Sequence, residues 1–385
     1  MKRKRDKYIY LFIAIYFLSG TFYVTNDFKS LQIPMLIGSI MITIILSPVT
    51  SKIHYKKKAI DISYLLFTLS SFISSFYNQS IHGIVSSAGT LALWYFSSNT
   101  IENLEKKGKS IWSKTYEVIL IPFLLLILYS LTRYGFRIER YRGVFYTSNS
   151  TGGCAATAIA LICCFYLSDV TKKNIIGILK YKYYIPFLIC SILLLSSTSR
   201  TSIIATIIII ILTGFIYLYY SQKTRKELFR IFIMGIIIVV LFSLIYYYTD
   251  IKSMINSVIV KAKIRNAQED ALAGRTDRWQ MIIERARFLG NGDDRSVSSH
   301  NTFLGLLDQF GIPSTLFWIV FCLSGLINSI KIAFNRNYDD YMKFFPLFSF
   351  TMFIVLSLME GMMMKTIMLM CVYSIPILNN KSIQL

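Results

Sequence analysis

The sequence predicts an all-α polytopic membrane protein with about twelve transmembrane helices. Hydrophobic residues make up 54% of its 385 residues, and its mean hydropathy of +0.53 lies well above that of an ordinary soluble domain. Apolar runs long enough to cross a bilayer, which takes about 20 residues per helix, recur from Tyr8 almost to the end. These two observations exclude a soluble class, and the whole chain, residues 1–385, is predicted to form one integral membrane domain.

The predicted spans follow one another with short connections, except at two places. The longer segments are residues 132–151 and residues 249–300, and we expect function there because long loops in compact proteins are usually functional. In chain order the predicted spans are residues 8–24, 33–49, 59–77, 81–98, 116–131, 152–167, 183–198, 202–220, 231–248, 313–330, 344–358 and 364–378.

The basic residues indicate the orientation of these spans. The net charge of +21 does not point to nucleic acid, because the basic residues lie in loops, where the positive-inside rule accounts for them. With both termini in the cytoplasm, the inner side carries 20 Lys and 5 Arg, and the outer side 5 Lys and 11 Arg. Orientation alone would deplete both types outside, so the outward arginines favour binding of a phosphate or diphosphate, with which guanidinium forms paired hydrogen bonds.

The loop at 249–300 contains a predicted surface helix within "GRTDRWQMIIERARFLGNG" (274–292). Thr276 suits the N-cap, and Asp277 suits the first turn, where the helix dipole favours an acid. Arg275 is then expected just before the helix, in a position that favours an anion. We predict an apolar stripe on this helix and an end at a glycine turn, formed respectively by Trp279, Ile282, Ile283 and Ala286, and by Gly290, Asn291 and Gly292.

A second short helix is predicted within "SSHNTFLGLLDQFG" (298–311). Asn301 suits the N-cap, residues 302–310 suit a turn or two, and Gly311-Ile312-Pro313 breaks the helix before the tenth span. An apolar helix too short to cross the membrane is typical of a re-entrant element that lines a cavity. His300 would lie just outside the positive end of this helix and face the loop.

An ordered set of short motifs gives the sequence a family resemblance. It comprises "RGVFYTSN" (142–149), "TSRT" (198–201), "GRTDRW" (274–279), "GNG" (290–292), "SHNTFLGLLDQFG" (299–311) and "LMEG" (358–361). The set resembles the O-antigen ligase and O-antigen polymerase superfamily of bacterial membrane glycosyltransferases of GT-C type, over residues 140–378. One departure is Thr147-Ser148-Asn149, where such proteins often have Asn-Pro-Asn.

The resemblance implies transfer of a glycan from undecaprenyl diphosphate to an acceptor hydroxyl at the outer face of the bacterial inner membrane. It implies inversion and needs neither metal nor cofactor. Further candidate partners are the bilayer itself, a chain-length regulator and a flippase. The six cysteines show no metal-binding spacing and are predicted to be buried small hydrophobes.

The candidate site residues fit this chemistry. Arg200 and Arg275 are expected to stabilise the diphosphate leaving group, and His300 carries an imidazole, a side chain suited to take or orient the acceptor proton. The alternatives are a loop histidine, a solvated loop charge at Arg275 and a snorkelling arginine at Arg200. Glu360 either holds His300 or Arg275 in place or pairs with Lys365. Residues assigned to substrate binding are Arg142, Asn149, Arg278, Asn301 and Glu360.

Three functions remain open on sequence alone. The first is a polysaccharide polymerase, favoured because abundant outward arginine would serve two lipid diphosphates, one on the donor and one on the acceptor. The second is a ligase that transfers the glycan to a lipid A core or another anchor. The third is a secondary transporter or lipid flippase, which is disfavoured because Asp61 and Glu117 lie near span ends rather than in mid-membrane, where coupling carboxylates are usual.

Overall fold

In this computed structural model the described part of the chain is mostly helical. It covers residues 2–22, 24–31, 58–95, 112–136, 140–171, 181–221, 275–292, 299–336, 342–361 and 366–379, with a few isolated positions between 34 and 41 and at 97–98. Within these ranges no strand is formed, apart from an isolated bridge between Thr25 and Phe145. The predicted all-α class is therefore confirmed.

The helices coincide with ten of the predicted spans. They are α1 (Lys2–Phe22), α2 (Ala59–Tyr77), α3 (Ile81–Tyr95), α4 (Trp112–Tyr134), α5 (Ser148–Thr171), α6 (Tyr181–Ser197), α7 (Arg200–Ser221), α8 (Arg275–Glu284), α9 (Thr302–Ala333), α10 (Phe345–Ser357), α11 (Thr366–Tyr373) and α12 (Ile375–Leu378), of which α8 is the predicted surface helix and the last two share one span. Five of them, α2, α4, α5, α7 and α9, are long and apolar enough to cross a membrane. The predicted spans at 33–49, almost entirely, and at 231–248 lie outside the described residues, as do positions 249–274 and 293–298 of the long loop.

Helix α5 occupies the centre of the bundle. It packs against α6, α7 and α10, and nearly all of its residues are buried. Its sequence is rich in glycine and alanine, and small side chains let neighbouring helices approach closely when lipid gives no hydrophobic driving force between them. Aromatic side chains of the same buried core join α2 to α9, where the rings of Phe67 and Trp318 lie 4.5 Å apart.

Helix α9 is broken at the predicted position. Gly311 has φ 86° and ψ −173°, outside the helical region, and divides the helix into a short segment at 302–310 and the apolar span that follows. Pro313 lies two residues further on, where its missing N–H is tolerated because the preceding glycine has already interrupted the helical ladder. The predicted break is confirmed.

The bundle has two chemically different ends. The site end carries residues 140–149, 198–200, 299–301 and 358–361, and the Asp61 end carries residues 58–61, 169, 182 and 378–379. Arginine predominates at the site end and lysine at the other, which is the separation that the sequence predicts. The described site-end cations are Lys29, Arg133, Arg140, Arg142, Arg200, Arg275, Arg278, Arg285 and Arg287, and those of the opposite end include Lys58, Lys114, Lys182, Lys331, Lys343 and Arg336.

Candidate active site

The carboxylate of Glu360 is the centre of a polar cluster at the site end. Its Oε1 accepts a hydrogen bond of 2.8 Å from Asn149 Nδ2 and lies 3.5 Å from Arg275 Nη2. Its Oε2 lies 3.8 Å from His300 Nδ1, too far for a hydrogen bond but close enough for a charge interaction when the imidazole is protonated. Predicted site residues from three other chain segments therefore converge on the buried carboxylate of Glu360.

The peptide segment that carries Glu360 is held by three side chains. Just past the end of α10, the carbonyl of Leu358 accepts from Asn301 Nδ2 at 3.0 Å, that of Met359 from Arg275 Nη1 at 2.8 Å, and that of Glu360 from Thr302 Oγ1 at 2.9 Å. Carbonyl groups beyond a helix end have no partner in a following turn, so these donors satisfy them. Asn301 and Arg275 thus position the same segment.

The conformation around His300 is unusual. His300 has φ 50°, in the left-handed region that non-glycine residues rarely adopt. Its neighbours fix it: Asn301 N donates to Ser299 Oγ at 3.1 Å, and Trp279 Nε1 donates to the carbonyl of Ser299 at 2.7 Å. The His300 side chain remains 39% exposed, whereas that of Glu360 is only 9% exposed. The imidazole is therefore held in place and still accessible.

Asn301 is the predicted N-cap of α9. Its side-chain oxygen accepts hydrogen bonds from Phe303 N at 2.9 Å and Leu304 N at 3.1 Å, which confirms the prediction. Because the same side chain donates to the Leu358 carbonyl, Asn301 also ties the start of α9 to the Glu360 segment. His300 lies immediately before this cap, as the sequence predicts.

Helix α8 differs from its prediction at both ends. It begins at Arg275, so Thr276 is its second residue rather than its N-cap, and Arg275 is part of the helix. It ends at Glu284 rather than at the glycine turn. The predicted apolar stripe is wrong in part, since Ile282 is buried but Ile283 is 60% exposed. The early end has a tertiary cause: the guanidinium of Arg285 turns toward Asp308, and the residues after it pack on the kink of α9.

Arg200 reaches the same end of the bundle through α5. It is the first residue of α7 and follows Thr198, which has φ 53°. Ser199 packs directly on Gly152, where an added Cβ would lie only 2.6 Å from the Ser199 Cβ. Gly152 is three residues from Asn149 on one face of α5, so Ser199, the residue before Arg200, packs one helical turn away from Asn149.

The remaining predicted cations lie at the rim. Arg142 and Arg278 are exposed, and neither forms an ion pair with any described residue. The turn after Arg142 requires glycine at 143, which has φ 51° and where a Cβ would lie 2.1 Å from Ser130 Oγ. The side chain of Thr147 accepts a hydrogen bond of 3.1 Å from Ser150 N and so caps the start of α5. The sequence Thr-Ser-Asn therefore still begins the helix, and Asn149 still donates to Glu360.

Several contacts were not foreseen. Thr302 and Trp279 lie within the motifs, but pattern alone does not reveal that they bond to Glu360 and Ser299. The fully buried Asp308 forms an ion pair with the partly exposed Arg285, and the available signal was an acid in an otherwise apolar helix together with an arginine-rich loop. The alternative that Glu360 pairs with Lys365 concerns a position outside the described residues.

Comparison with known families bears on the same segment of the chain. Residues 185–319 match the sequence profile of the family described as O-antigen ligase. The predicted resemblance to the O-antigen ligase and polymerase superfamily is confirmed. No curated protein is similar to the chain at a significant level. The match indicates an O-antigen ligase or polymerase type of function and, with the five apolar helices, points to a multi-pass protein of the inner membrane.

The O-antigen ligase match includes only part of the cluster. Arg200, Arg275, Arg278, His300 and Asn301 lie inside the matched segment. Asn149 lies before it and Glu360 after it, and both contact the matched residues directly or through one another. The geometry therefore extends the candidate site of this O-antigen ligase-like chain beyond the matched segment.

Proposed function

We propose that the protein is a polysaccharide polymerase that transfers an undecaprenyl diphosphate-linked glycan to an acceptor sugar hydroxyl at the outer face of the inner membrane. The observation that carries the proposal is the convergence of Arg275, His300 and Asn149 on Glu360. It brings a guanidinium and an accessible imidazole to one buried carboxylate. The guanidinium suits the diphosphate leaving group, and the imidazole suits the hydroxyl proton of the acceptor.

The reaction would be a single displacement. The acceptor hydroxyl oxygen attacks the anomeric carbon, the bond from that carbon to the diphosphate oxygen breaks, and undecaprenyl diphosphate leaves with the electron pair. His300 takes the hydroxyl proton, and attack opposite the leaving group inverts the anomeric configuration. Arg275 and Arg200 stabilise the negative charge that develops on the diphosphate. Glu360 orients the imidazole and the Arg275 guanidinium.

The surroundings of the site support a lipid-linked substrate. An apolar cavity begins beside Asn149 and Ser150 and continues along α1, α4, α5 and α11. Its lining is dominated by aliphatic and aromatic side chains such as Phe17, Leu120 and Met370. The cavity, of about 40 Å³, is too small to enclose a long hydrocarbon chain, but it places apolar surface directly beside the polar site, as a donor with a charged diphosphate and a lipid tail requires. The proposal includes twelve spans with both termini in the cytoplasm and catalysis without metal.

The test is an incubation of the purified protein with a defined undecaprenyl diphosphate oligosaccharide, with and without a separate lipid acceptor. A polymerase lengthens the lipid-linked glycan without a second acceptor. Product that forms only with a lipid A core or similar anchor would make the protein a ligase instead, and no new glycosidic bond under either condition would overturn both. Activity that disappears with a chelator and returns with a divalent cation would contradict the metal-free mechanism.

A further inference from the structure

A second polar cluster lies at the far end of the short 302–310 segment of α9, which begins beside the Glu360 cluster. Asp308 has no exposed surface, and its carboxylate accepts hydrogen bonds from the guanidinium of Arg285 and, at 2.9 Å, from Asn291 Nδ2. We call these three residues the Asp308 clamp. Burying the Asp308 carboxylate without partners would be costly, so Arg285 and Asn291 are needed to hold it there. None of the three residues has a role in the reaction described above.

The main chain reinforces the clamp. Asn291 N donates to the Asp308 carbonyl at 2.7 Å, and Ile312 N donates to the Phe288 carbonyl at 3.2 Å. The two backbones approach so closely that only glycine fits at Gly311, where a Cβ would lie 2.1 Å from the Phe288 carbonyl oxygen. The segment after α8 is therefore fixed in register on the kink of α9.

Three sets of contacts join the segment from Arg275 to Arg285 to the segment from Ser299 to Asp308, and the Asp308 clamp is the last of them. Arg285 comes ten residues after Arg275, and Asp308 eight residues after His300. Close to the first pair, Trp279 Nε1 donates to the carbonyl of Ser299, the residue before His300, at 2.7 Å. At the start of the two segments, Arg275 and His300 both lie against Glu360, and at their far ends Arg285 pairs with Asp308.

We propose that the Asp308 clamp positions Arg275 relative to His300 during glycosyl transfer. This inference rests on the proposed function, and it makes Arg285, Asn291 and Asp308 positioning residues, because they act through α8 and α9 and do not touch the substrate. Asp308 is fully buried and Arg285 is 32% exposed. Replacing such an ion pair by apolar residues of similar volume often leaves stability unchanged, so we assign the pair to the arrangement of the two segments it joins. Small displacements of reacting groups lower the rate strongly, whereas ground-state binding is less affected.

The test replaces both charges at once, by Arg285→Met together with Asp308→Leu, so that neither partner is left buried and unpaired. We expect the thermal unfolding midpoint to stay close to that of the wild type, kcat to fall about tenfold or more, and KM for the lipid-linked donor to change less than about twofold. The matched control is Lys182→Met together with Asp169→Leu, which removes the ion pair of 2.9 Å at the Asp61 end and should leave kcat unchanged.

A wild-type kcat in the folded double variant would overturn the positioning role. Failure of the double variant to fold would overturn it too, because the clamp would then be a structural requirement only. Amide hydrogen exchange of residues 275–284 gives a readout that does not depend on the reaction. We expect faster exchange there in the double variant and no change in α5; unchanged exchange in 275–284 would exclude the clamp even if the wild type shows no transferase activity.

Discussion

The two ends of the bundle both bury carboxylates but surround them differently. At the Asp61 end, Asp61 accepts from Trp94 Nε1 at 3.1 Å and from Asn379 Nδ2 at 2.6 Å, and Asp169 pairs with Lys182 at 2.9 Å. At the site end, Glu360 faces an arginine, a histidine and an amide, and further arginines lie at the rim.

The difference indicates what each end does. The contacts of Asp61 join α2, α3 and the C-terminal segment, and each partner is buried, so that cluster fastens helix ends together. The cluster at Glu360 combines one acid with the guanidinium of Arg275 and the imidazole of His300, which is 39% exposed, and the exposed Arg142 and Arg278 lie at its rim. A surplus of accessible positive charge beside a buried carboxylate is suited to an anionic substrate, so substitutions at the site end should lower activity and those at the Asp61 end should not.

The largest effect is expected for His300→Ala. Because loss of a general base typically lowers a rate by about 10²–10⁴-fold, polymer formation by the purified variant should fall by that order while the protein inserts and folds normally. Initial rates and membrane abundance are measured together. His82→Ala is the control, since His82 lies in α3 outside the Glu360 cluster, and its rate should match the wild type. Normal polymer length in the His300 variant would remove its catalytic role.

The next largest effect is expected for Arg275→Lys. The ammonium group keeps the charge but cannot reach the Met359 carbonyl and Glu360 with a planar fork, so we expect kcat to fall about 10²-fold. Arg200→Lys should lose activity in the same way. Arg336→Lys is the matched control at the Asp61 end, where Arg336 donates to the Tyr219 carbonyl at 3.0 Å, and it should be fully active. Near-normal rates for both site-end variants would mean that the diphosphate is bound elsewhere.

A direct comparison of the two carboxylates comes from Glu360→Gln and Asp61→Asn. The glutamine oxygen can still accept from Asn149, but the charge facing Arg275 and His300 is lost, so kcat per folded molecule should fall by about tenfold or more. Asp61→Asn should instead destabilise the protein by about 1–3 kcal/mol, because hydrogen bonds to a buried charged acceptor are lost. Its activity per folded molecule should stay at the wild-type level. The contrast fails if Asp61→Asn lowers kcat or if Glu360→Gln affects only the unfolding temperature.

The smallest effect is expected at the rim. Arg278→Gln should raise KM for the lipid-linked donor about two- to threefold, and the difference from the wild type should shrink at high salt, because an exposed charge acts at a distance that salt screens. Arg142→Gln should behave in the same way. Steady-state kinetics at low and high ionic strength measure this, and a large loss of kcat in either variant would assign it to the reaction centre instead.

Local signals predicted much of the fold. The bounds of α2 agree with the predicted span to the residue, and the start and kink of α9 follow from the capping preference of Asn301 and the conformational freedom of Gly311. Helix α8 was predicted less well because its end depends on Arg285 meeting Asp308, a contact across 23 positions of sequence. Periodicity within the helix carries no information about that partner.

For the candidate site too, local motifs predicted which residues take part but not which of them contact one another. The motifs named Arg275, His300, Asn301 and Asn149, and Glu360 was proposed to hold either His300 or Arg275. The structure brings both to it, together with Asn149 from 211 positions away. Such long-range pairings follow from how α5, α9 and α10 pack, which a single sequence does not encode as a local pattern.

The contact between Gly290 and Gly311 has a consequence for how the chain can diverge. A side chain at Gly290 would meet the Gln309 carbonyl oxygen at 2.5 Å, and one at Gly311 would meet that of Phe288 at 2.1 Å, so neither position accepts alanine unless the crossing backbone moves away. Relatives should therefore either retain glycine at both places or have replaced both, together with a loop of different length.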